Sequence, residues 1–127
     1  MATTTASLTI NSGDLTSDVL TLTTSQTLYD SAGTTGPTLT SGLVRVNGFG
    51  SEGVLVANGS YAGNAYVYIK NTDSTYTNSC EISIGNNAMG DLYGGQFMFI
   101  PWDTTVDIEA HNVSASTVLE YIVIHTA

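Results

Sequence analysis

The stretch whose reading decides the fold is residues 94–125, GGQFMFIPWDTTVDIEAHNVSASTVLEYIVIH. It holds the single tryptophan, Trp102, both histidines, and the longest apolar strand signal in the chain. A Gly94-Gly95 turn launches a strand over 96–100, Pro101 and Trp102 break it, 106–111 follow, and 118–125 close the chain. Three strands in so short a span predict an antiparallel meander. Over 106–111 the alternation is clean: Val106, Ile108 and Ala110 share one face, and Asp107, Glu109 and His111 share the other. The last strand differs. Leu119, Tyr121 and Val123 line one side, while Val118, Ile122 and Ile124 make the opposite side apolar too, interrupted only by Glu120. A strand apolar on both faces needs cover on both. It is either central in a two-sheet sandwich or its outer face meets another copy of the protein.

Working outward, the 127 residues suffice for one domain with one core, residues 1–127, in which 1–7 read as an N-terminal arm. Thirteen glycines supply turns, and threonine suits the solvated face of strands. Helix-forming Lys, Glu and Arg are scarce, because charged residues make up only 10% of the chain. The Thr-rich lead gives way to a short strand at 7–10, an Asn11 to Asp14 turn and a strand at 19–28. A long loop at 31–41 follows, then strands at 43–47 and 54–57 around Gly48-Phe49-Gly50, with an Asn58-Gly59 turn after them. In AYVYIK, residues 65–70, Val67 and Ile69 face one way and Tyr66, Tyr68 and Lys70 the other. Asn71-Thr72-Asp73 then reads as the turn of a hairpin pairing 65–70 with 79–84, and 85–91 as a glycine-rich connection. Strands at roughly ten-residue spacing predict an all-β fold, a single antiparallel β-sandwich of Greek-key or jelly-roll type with about eight strands.

Charge narrows the function. Arg45 and Lys70 stand against eleven acidic residues, a net charge of -9, which disfavours nucleic acid and anionic membrane surfaces as partners. No apolar run is long enough for a membrane helix, and the start lacks the pattern of a signal peptide, so a protein that is not secreted by itself is expected. Cys80, the lone cysteine, alternates with Ile82 and Ile84 and reads as a buried, unreactive thiol.

Candidate chemistry is thin. Neither His111 nor His125 sits in a serine motif of the GxSxG kind, so an enzyme is not expected and no catalytic residue is assigned. His111, Asp107 and Glu109 offer metal-ligand types, but alternate side chains on one strand lie about 7 Å apart and seldom share an ion. Asn71 to Asp73, Asn86-Asn87 and Asp91 are loop oxygen donors that match no calcium-loop register. No metal or cofactor is expected. The Asn58 and Asn112 sequons read as chance matches. The aromatics say more. Tyr66 and Tyr68 project from a strand whose other face is apolar, and tyrosine is favoured at interfaces because it joins a large ring to a polar tip. They form either a half-exposed cross-strand ladder or a subunit or host contact. Trp102 beside Pro101 and Asp103 reads as the plug of one sandwich end, with a sugar-stacking platform as the other reading. Tyr66, Tyr68, Trp102, Ile122 and Ile124 are the candidate interface residues.

The segment AYVYIKNTDSTYTNSCEISIG together with residues 94–127 resembles small structural proteins in the virions of tailed bacteriophages. The resemblance rests on the aromatic-aliphatic strand leading to Asn71-Thr72-Asp73, the glycine and aromatic strand ending at Pro101, and the Leu119-Glu120-Tyr121-Ile122 strand. It covers about the last sixty residues and carries no catalytic signature. It implies a β-sandwich virion component: a capsid decoration (cement) protein that binds and stabilises the capsid as a homo-oligomer, a trimer being favoured. Its partner would be the major capsid protein or another virion protein, and its place the outer surface of the capsid, after assembly in the host cytoplasm. The alternative is a tail, neck or fibre accessory protein with host-glycan binding.

Overall fold

A computed structural model describes residues 4–13, 20–28, 39–47, 52–111 and 117–125. All regular structure among them is antiparallel strand: β1 (Thr5–Ser12), β2 (Leu20–Thr27), β3 (Leu39–Thr40), β4 (Val44–Asn47), β5 (Glu52–Val56), β6 (Asn64–Asn71), β7 (Cys80–Ile84), β8 (Asn87–Leu92), β9 (Phe97–Asp103), β10 (Ile108–His111) and β11 (Val118–His125). The turn between β7 and β8 is Gly85-Asn86, both with positive φ, 55° and 64°. That two-residue turn matches the twist of the strands it joins.

Around this turn the chain doubles back on itself. β7 pairs with β8, β6 with β9, β5 with β10 and β4 with β11, like one long hairpin. The hairpin is then rolled. New edges form between β11 and β6 and between β10 and β7, giving one sheet of order β4-β11-β6-β9 and a second of order β5-β10-β7-β8. β3 adds to the far end of β11 beside β4. Eight strands in this order are a jelly roll. The expected fold class therefore holds.

Pro101 and Trp102 do not break their strand, since β9 runs through both to Asp103, and three larger expectations fail as well. β9, β10 and β11 are not a meander, because β9 and β11 flank β6 in the first sheet while β10 lies in the second. β6 and β7 are not a hairpin either; they belong to opposite sheets. The 72–79 connection crosses the end of the sandwich instead of folding flat, and Asn71 makes the crossing. Its Nδ2 donates to the carbonyls of Asn78 and Leu92 at 2.8 and 3.0 Å, and its Oδ1 accepts from Asp73 N–H. Asn71 is wholly buried there, satisfied by backbone on three sides. Gly94 fits beneath this arch because a Cβ on it would lie 2.3 Å from the Thr75 carbonyl oxygen. The third miss is β8, an exposed edge strand in what reads as a glycine-rich connection. NAMGDL lacks the β-branched residues that mark a strand, and Gly90, with φ 146°, serves a register shift there.

The core is the space between the two sheets. Val67, Ile69, Leu119 and Val123 fill it from the first sheet, and Ile82, Ile108, Ala110 and Cys80 from the second, all essentially without solvent contact. Each buried aliphatic of this size contributes roughly 1.5–3 kcal/mol. Cys80 is the buried thiol that its alternation predicts. Trp102 belongs here as well: it is 3% exposed, its Nε1–H donates to the Val106 carbonyl at 3.0 Å, and Tyr61 meets it edge-on. Its place among the interface candidates is thereby corrected in favour of the plug. Parity along β9 turns Trp102 inward with Met98 and Ile100, and Pro101 outward.

β1 and β2 stand apart as a two-stranded ribbon. Thr5 to Ser7 of the expected arm open β1, while residues 1–3 lie outside the described residues. So do Asp14 and Val19, positions 31–38 of the long loop, Gly48-Phe49-Gly50 and the Asn112 sequon.

Candidate functional site

The outer faces of the two sheets differ in chemistry. On the first, the register places Ile124, Tyr66 and Pro101 in one row across β11, β6 and β9, and Ile122, Tyr68 and Phe99 in the next. Glu120, Lys70 and Phe97 make the third row. The rings stack diagonally between rows: Tyr66 lies against Phe99 at 6.0 Å with 5° between planes, and Tyr68 against Phe97 at 6.2 Å. Four of the five candidate interface residues thus share one surface. Phe97, Phe99 and Pro101 complete it, and sequence reasoning missed them. Their signal was the odd-numbered parity of FMFIP, overlooked because its even positions are apolar as well. Phe97 is 57% exposed and Phe99 38%, high for side chains of this size.

Charge touches this face only at its two ends, Glu120 and Lys70 at one and the exposed Asp103 beside Asn64 at the other. Glu120, largely covered, accepts from the exposed Arg45 at Nε, 3.2 Å away. Burial raises the Tyr68 phenol above its ordinary pKa, and the Glu120 carboxylate beside it adds to the shift. The ribbon faces all three rows, from Ile124 and Pro101 to Phe97. Leu28, 2% exposed, is its root, with its N–H on the Thr4 carbonyl at 2.9 Å. Between ribbon and sheet runs a groove of about 690 Å³ whose walls include Leu8, Leu28, Tyr66, Phe97 and Phe99.

The outer face of the second sheet is acidic. Glu52, His111, Glu81 and Asp91 form one row across β5, β10, β7 and β8, and Val54, Glu109, Ser83 and Ala88 the next. Ser83 Oγ lies 2.8 Å from His111 Nε2 and 3.2 Å from Glu109 Oε2. Glu109 Oε2 is 3.9 Å from Nε2, and Glu52 Oε2 is 4.0 Å from Nδ1. The triple weighed along one strand, His111, Asp107 and Glu109, does not assemble. Asp107 turns to the 57–60 turn and accepts from Asn58 N and Nδ2 at 2.7 and 2.9 Å. Glu52 takes its place from the neighbouring strand, a cross-strand relation that spacing along one strand cannot show. Donor atoms of Glu52, Glu109 and His111 lie within 4.8 Å of one another. Ser83 Oγ already engages Nε2 at 2.8 Å, so a ligand shared by the two carboxylates and the imidazole would compete with that bond.

A serine beside a histidine invites comparison with a nucleophile pair. A serine hydroxyl has one proton, and a carboxylate only accepts. Where Ser83 donates to Glu109, His111 Nε2 must carry the proton and donate to Oγ, the reverse of what a general base does. Ser83 is also 2% exposed. His125 is distant in role; its ring packs on Tyr61 with centroids 4.8 Å apart. Of the loop oxygens weighed for calcium, those of Asn71 and Asp73 are engaged by protein donors: Asn71 accepts from Asp73 N, and Asp73 from Thr75 N, Asn78 Nδ2 and Thr117 Oγ1, which hold its pKa below the ordinary carboxylate value.

Comparison with protein-family models, with curated proteins and with solved structures returned no match.

Proposed function

We propose that this chain is a non-enzymatic structural protein of a tailed-phage virion, a decoration or cement module that binds the capsid as a homo-oligomer. The observation that carries the reading is the outer face of the first sheet, where Tyr66, Tyr68, Phe97, Phe99, Pro101, Ile122 and Ile124 form one aromatic and aliphatic surface. Such a surface gains free energy by leaving water against a partner. The acidic face of the second sheet supports the same orientation: it repels packaged DNA and suits the outside of a shell. The burial of Ser83, 2% exposed beside His111, supports a role without catalysis. The jelly roll supports it only by analogy, since capsid and lectin domains alike use this fold.

The test is to mix purified protein with undecorated capsids and with isolated tails, and to image the occupied sites. Binding to the shell at regular positions is expected, with loss of binding in Tyr68→Ser/Phe99→Ser. Labelling of tails alone would assign the protein to the tail, neck or fibre. Binding to neither overturns the proposal.

A further inference from the structure

The β1–β2 ribbon is amphipathic through its middle, with Gln26 and Ser12 at the two ends of its less polar face. Ala6, Leu8 and Ile10 of β1 share one face with Leu20, Leu22 and Thr24 of β2, while the other face is entirely Thr, Ser and Asn. The apolar stripe begins over the chain's own aromatic face, where Ala6 and Leu8 line the groove. It then continues toward Ile10 and Leu22, which remain 45% and 46% exposed. A two-stranded ribbon is at best marginal in water without a third layer. This one has its layer at the root and lacks it toward the tip. The groove at the root is itself loose: about 690 Å³ between two apolar walls is far from the close packing of protein interiors.

We infer that the ribbon is an assembly arm whose apolar stripe lies on the aromatic face of a second copy of this chain. The inference rests on the reading above and names the homo-oligomeric contact. Two features single out a second copy as the occupant. The uncovered stripe and the uncovered Phe97 and Phe99 are apolar surfaces of matching chemistry on one chain, so a head-to-tail contact satisfies both and, repeated, closes a ring. The contact also keeps its carboxylates at the rim. Neither strand of the ribbon contains a charged residue, and the two middle rows of the aromatic face carry none, with Glu120 and Lys70 beyond one end and Asp103 beyond the other. Chains that each carry a charge of -9 can meet along those two rows with the acids left at the edge.

Two variants test it: a ribbon variant, Leu8→Thr/Ile10→Thr/Leu22→Thr, which keeps β propensity, and a face variant, Phe97→Thr/Phe99→Thr. Sedimentation should give an oligomer for the parent chain and a mass of one chain for each variant, with Trp102 fluorescence unchanged as evidence of an intact sandwich. Mixing the two variants should restore a dimer, because one good ribbon then meets one good face. As a second measurement, Ile10→Cys with Phe99→Cys should cross-link between chains on oxidation. A parent that stays monomeric, an oligomer that survives the ribbon substitutions, or cross-links formed only within a chain would each overturn the arm. Capsid binding, assayed separately on the ribbon variant, tells its failure from that of the functional proposal: binding by a monomer removes the arm and leaves the decoration role.

Discussion

The rings of Tyr66 and Phe99 lie nearly parallel, 5° between planes with centroids 6.0 Å apart, on the outer face of the first sheet. The two residues are not direct register partners, since Tyr66 faces Pro101 and Phe99 faces Tyr68. The stack is a diagonal one, within reach of long side chains on adjacent strands. Phe99→Ala removes it from a surface that is already partly wet. The expected loss of stability in urea denaturation is about 1 kcal/mol, whereas oligomer formation should fall to below detection in sedimentation. A large loss of stability with assembly intact would make the stack a core feature and not a contact surface.

Asn71 ties the crossing between the sheets. Asn71→Ala leaves the Asn78 and Leu92 carbonyls without their donor in a buried corner. A cost of roughly 2–4 kcal/mol is expected from two unsatisfied acceptors, read as a drop in the urea midpoint. Gly94→Ala should be as damaging, because its methyl group would strike backbone of the 72–79 crossing and not a movable side chain.

Asp73 links that crossing to Thr117 ahead of β11, and its hydrogen bonds, the Thr75 N–H foremost, depress its pKa. A depressed carboxylate adds stability above its unfolded pKa and loses it as pH falls through the folded value. Thermal melts between pH 6 and the acid limit should therefore show a steeper acid loss in the parent than in Asp73→Asn. Parallel curves would remove Asp73 from the account.

Burial, with the Asp91 charge as a second cause, pushes the Cys80 thiol up to about 11. At pH 8 it should resist a thiol reagent while the chain is folded and react fully once it is unfolded. Rapid labelling of the native protein would show that the second sheet opens.

How far the sequence was legible differs between levels. The inward or outward direction of Val67, Tyr68, Leu119 and Ile122 follows from alternation, because side-chain direction in a strand is a local property. The buried Cys80 and the all-β class were legible for the same reason and from composition. The Glu52, Ser83 and His111 cluster was not, since its members come from three strands and are joined only by register. β8 went unseen because its residues have no strand preference of their own and are held by pairing with β7.

By itself the sequence determined which residues are apolar and on which parity they fall, and so that two faces of several strands would need cover. Tertiary structure alone decided which strand lies beside which. The same alternation fits a meander or a jelly roll, and the choice rests on whether a connection folds flat or crosses between sheets. Here the buried carboxamide of Asn71 and the bare backbone at Gly94 let 72–79 cross. That crossing places β9 and β11 on either side of β6 and brings their outward aromatic and aliphatic residues together as one surface.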